Sequence, residues 1–127
     1  MLFSLLFVST PIFAENASTE MARMGAAKTE FTAEEVKSAI TAYVHRKMAA
    51  EGNVFRIYDP INGYKPLELK FVKIHDPVRK IGKGNYFACS DFSVAGEPSK
   101  LYDLDFWLRA LDGKLIVTQT QIHKEPY

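Results

Sequence analysis

The chain has one cysteine, Cys89, in 127 residues. An internal disulfide and a multi-cysteine metal site are therefore excluded. It also lacks an excess of either charge: Lys plus Arg is 16 and Asp plus Glu is 15, a formal net charge of +1. Dedicated nucleic-acid binders carry a clear positive excess, so no nucleic-acid partner is expected. No apolar run approaches the roughly 20 residues of a membrane span. What is abundant is apolar: 47% of residues are hydrophobic and 13% aromatic, against 24% charged. That is the balance of a globular protein with a sizeable core. The length suits one domain.

The N-terminus reads as an address. Leu2-Phe3-Ser4-Leu5-Leu6-Phe7-Val8 is apolar, Pro11 breaks it, and Ile12-Phe13-Ala14 precedes the polar Glu15-Asn16. An apolar stretch, a breaker and a small residue before a polar start make a secretory signal peptide. Residues 1–14 are assigned to it and 15–31, small and polar, to a flexible leader. A single domain is expected over residues 32–127, in the periplasm or secreted.

Thr32-Ala33-Glu34-Glu35 is a capping box, with Phe31 placed to staple the helix start. Val36, Ile40, Tyr43, Val44 and Met48 recur at helical spacing, and Gly52 ends the pattern. The spacing predicts a helix over about 33–50. Period-two alternation then predicts five strands, over 54–58, 67–75, 86–94, 101–110 and 115–123, with the segment 76–84 as a loop. Such short connections favour antiparallel pairing of neighbours. The expected fold is α+β: one long N-terminal helix packed on a curled antiparallel sheet.

The alternation assigns the faces. Tyr86, Ala88, Phe92 and Val94, then Tyr102, Leu104, Phe106 and Leu108, then Leu115 and Val117 face the helix. Continued by twos, the last strand adds Gln119, Gln121 and His123 to that inner face. The outer face receives Phe87, Cys89 and Asp91, then Asp103, Asp105, Trp107 and Arg109, then Ile116, Thr118, Thr120 and Ile122. A solvent face that carries Trp107 and Phe87 calls for a cover. A second copy of the chain, giving a homodimer, is the expected cover; the leader with Met21 and Met24 is the alternative.

The helix-then-sheet order resembles the cystatin-like and nuclear-transport-factor-2-like folds. Val72-Lys73-Ile74-His75-Asp76, Tyr86-Phe87-Ala88-Cys89-Ser90-Asp91-Phe92, Tyr102-Asp103-Leu104-Asp105-Phe106-Trp107 and Ile122-His123-Lys124 are similar to motifs of a family of small exported bacterial proteins without an established function. The resemblance spans about residues 32–126. It implies a cystatin-like, exported domain and supplies no active site. Cystatin inhibitors use a Gln-x-Val-x-Gly hairpin, and Gln119-Thr120-Gln121-Ile122-His123 lacks its Val and Gly.

Two groups of residues carry candidate chemistry. His75, Cys89 and His123 are a candidate polar site, since a thiol beside an imidazole is a nucleophile pair. The expected pairing sets His123 on the face opposite Cys89, and His75 is of open register, so a catalytic role is not assigned. An inert thiol is the simpler reading. Asp76 follows His75 directly, but strand neighbours point to opposite faces, so a cap for the next loop is the simpler role. The second group is Asp91, Asp103 and Asp105, which with Phe87 and Trp107 form the expected ligand or partner surface. The pairing expected for these strands sets Asp91 opposite Asp103 and Cys89 opposite Asp105. Opposed like charges destabilise a sheet and need an offset. One sheet face encircles a hard cation poorly, so an ion-pair network is expected and no metal. Gly82-Lys83-Gly84 lacks the strand-to-helix setting of a phosphate loop, and no cofactor is expected. Lys70, Lys73, Arg79, Lys80 and Lys83 read as a solvated basic segment.

These features favour a non-enzymatic binding domain with an unnamed ligand. The alternative is a pocket enzyme or small-ligand binder of the nuclear-transport-factor-2-like class, and a protease inhibitor is third. A pocket enzyme needs ionisable groups between helix and sheet, where the pattern places mostly Tyr, Ala, Phe, Leu and Val.

Overall fold

The computed structural model describes residues 27–126. The expected signal peptide over 1–14 and the leader up to residue 26 lie outside the described residues. The architecture is α+β, one helix packed on a six-stranded antiparallel sheet that does not close. Helix α1 spans Ala33–Ala50. Thr32 caps it as the sequence predicts: its side chain accepts from the Glu35 backbone N–H at 3.1 Å, and the Glu35 carboxylate accepts from the Thr32 N–H at 2.7 Å. The helix ends where the Asn53 N–H turns back to the Met48 carbonyl, with Gly52 and Asn53 both at positive φ.

The strands are β1 (Phe55–Asp59), β2 (Lys65–Ile74), β3 (Arg79–Gly82), β4 (Asn85–Val94), β5 (Glu97–Leu111) and β6 (Lys114–Lys124). The sheet order is β1-β2-β4-β5-β6, and β3 also pairs with β4. Five strands fall where expected. The sixth, β3, lies in the segment read as a loop. Its four residues are all exposed, so no buried alternation marks it in the sequence. It exists because Arg79 and Lys80 pair with Phe87 and Tyr86.

Val36, Ile40 and Val44 of α1 are fully buried against Phe55, Leu69, Phe92, Leu104 and Phe106. Phe106 lies between the rings of Tyr43, Phe55 and Phe92, at centroid distances of 6.3, 6.2 and 6.1 Å. The chain before the helix is tied to the domain. The Phe31 N–H donates to the Tyr86 hydroxyl at 2.8 Å, and that hydroxyl donates to the Thr29 carbonyl at 3.1 Å.

Three bulges decide which side chains share a face. In β2, Phe71 pairs with Phe92 and Lys73 with Asp91, so Val72 is extra. In β6, Leu108 pairs with Val117 and Trp107 with Gln119, so Thr118 is extra. Near the end of β6, Leu104 pairs with Ile122 and Asp103 with Lys124, so His123 is extra. An extra residue reverses the phase of everything beyond it. The face assignment of late β6 is corrected accordingly. Thr120 and Ile122 turn inward, opposite the buried Phe106 and Leu104, whereas Gln119, Gln121 and His123 stand exposed.

Candidate functional site on the outer sheet face

The expected register of the two central strands holds. Asp91 stands opposite Asp103, Cys89 opposite Asp105, and Phe87 opposite Trp107. These three rungs lie in sequence along the outer face. Phe87 and Trp107 meet edge to face with centroids 5.1 Å apart. Both are half-buried, an aromatic pair with one side to solvent.

Two of the three carboxylates meet an imidazole. His75 Nε2 lies 2.8 Å from Asp91 Oδ1, and His123 Nδ1 lies 2.7 Å from Asp105 Oδ2. The Val72 bulge brings His75 to this face, and its backbone N–H donates to the Cys89 carbonyl at 2.8 Å. Asp76, its sequence neighbour, instead pairs with Lys37 of α1 at 2.5 Å. The expectation that His123 lies opposite Cys89's face is overturned by the two β6 bulges. His75, Cys89 and His123 thus gather at one face with Asp91, Asp103 and Asp105 among them. The segment Gln119–His123 runs inside β6 and forms no hairpin.

The electrostatics follow from this packing. Burial, with the Asp105 and Asp103 carboxylates beside it, pushes the Cys89 thiol up to about 12. Such a thiol is protonated at neutral pH, which argues against a nucleophile. Burial also raises Asp103, aided by Asp105 and Asp91 and opposed by His75 and His123. The bond to Asp105 holds His123 above the ordinary histidine value. Oδ1 of Asp103 and Oδ1 of Asp105 are both buried without a hydrogen-bond partner.

A groove of about 440 Å³ lies beside the cluster, lined by Asp91, Leu101, Tyr102, Asp103, Lys124 and Glu125 among others. The lining from β6 onward was not legible, because it depends on the bulge at His123. The basic segment does not form one patch. Lys80 pairs with Glu30, and Lys70 donates to the Asn53 carbonyl at 2.5 Å.

No protein-family model matches the chain, and no curated protein or solved structure gives a significant match. No helix among the described residues is long and apolar enough to cross a membrane.

Proposed function

We propose that this protein is an exported, non-enzymatic binding domain of cystatin-like architecture, and that its outer sheet face is the ligand surface. The observation that carries the reading is the contiguous row Phe87–Trp107, Cys89–Asp105, Asp91–Asp103 on one face. An apolar pair with an exposed side stands there next to half-buried, charged groups. Aromatic anchors beside polar groups are what interfaces use. The interior supports the same choice. The buried inward positions of β4 and β5 are Tyr86, Ala88, Ser90, Phe92, Tyr102, Leu104, Phe106 and Leu108, and the Ser90 hydroxyl is consumed by the Leu104 carbonyl at 2.9 Å. A pocket enzyme would need reactive groups where these side chains fill the space.

A second copy of the chain is the proposed cover for the aromatic pair. Ile116, 42% exposed on the neighbouring strand, extends the apolar patch. Sedimentation of the wild type and of Trp107→Lys tests this. A dimer that the substitution dissociates agrees with the reading; a wild type that stays monomeric at high micromolar concentration contradicts it.

A further inference from the structure

Asp105 is 6% exposed, and its two oxygens have different fates. Oδ2 is held by His123 Nδ1 at 2.7 Å, while Oδ1 is buried with no hydrogen-bond partner. Asp103 keeps its own Oδ1 in the same state. A buried, unpaired acceptor destabilises the fold, and more so when charged. Two such oxygens beside a thiol offer a place to a positive occupant. One donor atom each from Cys89, Asp103 and Asp105 lies within 4.8 Å of the other two.

We propose that Cys89, Asp103 and Asp105 bind a divalent transition ion of the zinc class, with His123 as the residue that positions the Asp105 carboxylate. The proposal rests on the outer face being the ligand surface and names one ligand for it. Bonds of roughly 2.0–2.3 Å at a tetrahedral angle separate donor atoms by about 3.3–3.8 Å. Binding would draw the three donor atoms, now within 4.8 Å of one another, to that spacing. Zinc would displace the Cys89 proton to solvent, and a thiolate among carboxylate oxygens selects zinc over calcium or magnesium, which take oxygen alone. His123 supplies the outer hydrogen bond that fixes a ligating carboxylate. Asp103 also lines the groove of about 440 Å³, which gives the ion an entry path. Three protein donors leave a fourth position for water or for a group of the second copy. A proton held between the two carboxylates is the competing occupant.

The experiment uses the purified chain, stripped with chelator and shown to be folded by circular dichroism. Zinc chloride is titrated calorimetrically, and cobalt(II) is followed by absorption. One zinc per chain is expected, with a thiolate-to-cobalt charge-transfer band that Cys89→Ser abolishes. Asp105→Asn weakens binding at least tenfold. His123→Ala weakens it by about 10–100-fold while leaving the position of the charge-transfer band unchanged, and His123→Gln recovers part of the loss. A folded wild type that binds no zinc overturns the proposal. A cobalt spectrum that Cys89→Ser leaves intact overturns it as well. Neither result touches the outer-face reading, which fails separately if Trp107→Lys leaves the sedimentation unchanged.

Discussion

His123 Nδ1 sits 2.7 Å from Asp105 Oδ2, although strict alternation along the last strand would put the two on opposite faces of the sheet. The Thr118 bulge reverses the strand, and the second bulge frees His123 to lean over β5. The imidazole side chain is 56% exposed and the carboxylate side chain 9%. A double-mutant cycle of His123→Ala and Asp105→Asn should therefore give a coupling of about 1 kcal/mol, at the low end of contacting pairs because one partner is solvent-screened. Zero coupling in denaturant titrations would mean that the pair does not persist in solution.

Phe106 is fully buried between three aromatic rings. Phe106→Ala should destabilise by about 3–5 kcal/mol and Leu104→Ala by about 2–5 kcal/mol. Lys100→Ala, at an exposed position, should stay within about 0.5 kcal/mol. Unchanged denaturation midpoints for both core variants would reverse the face assignment.

The end of β6 is latched to the β1–β2 turn by acids. Asp59 is fully buried and accepts from the Ile61 N–H at 2.9 Å and from Asn62 Nδ2 at 2.7 Å. Contact with Asp59 raises Glu125 above the ordinary glutamate value of 4.5, while Asp59 is lowered despite its burial. The two shifts run in opposite directions, so Glu125 takes up a proton before Asp59 as pH falls. A raised carboxyl favours the fold below its ordinary value, and that contribution is lost as pH rises through the raised one. Glu125→Gln keeps a donor at every pH. Melting temperatures of the two proteins should agree in acid, with the variant ahead at neutral pH. Parallel profiles would show that no proton is shared.

Export is tested at the N-terminus. Expressed in a bacterial host, the protein should be recovered outside the cytoplasm with its first residue at or near Glu15. An intact Met1 in the cytoplasm by N-terminal sequencing would contradict the Leu2–Ala14 reading.

The legible parts of this fold are those governed by local rules. The helix was readable because Thr32 and Glu35 cap it and Val36, Ile40 and Val44 keep one period. The β4–β5 register was readable because both strands alternate without interruption from Phe87 to Phe92 and from Leu101 to Leu108. Bulges are where reading failed, since one extra residue carries no mark of its own. A trace of the Thr118 bulge does exist: Leu115 and Val117 are apolar in one phase, Ile122 in the other, and two glutamines would otherwise point inward. β3 left no trace, because an exposed edge strand is held by pairing rather than burial. The partner of His75 was missed for a related reason. Asp76 is adjacent in sequence, whereas Asp91 stands across the sheet, opposite Lys73, two residues before His75.

On the proposed reading, a second copy covers the outer face around Trp107. The chain has one tryptophan, so its fluorescence reports on this face alone. Acrylamide quenching should be weak at high protein concentration and rise on dilution, as the dimer separates and Trp107 becomes exposed. Quenching that is independent of concentration would contradict the claim.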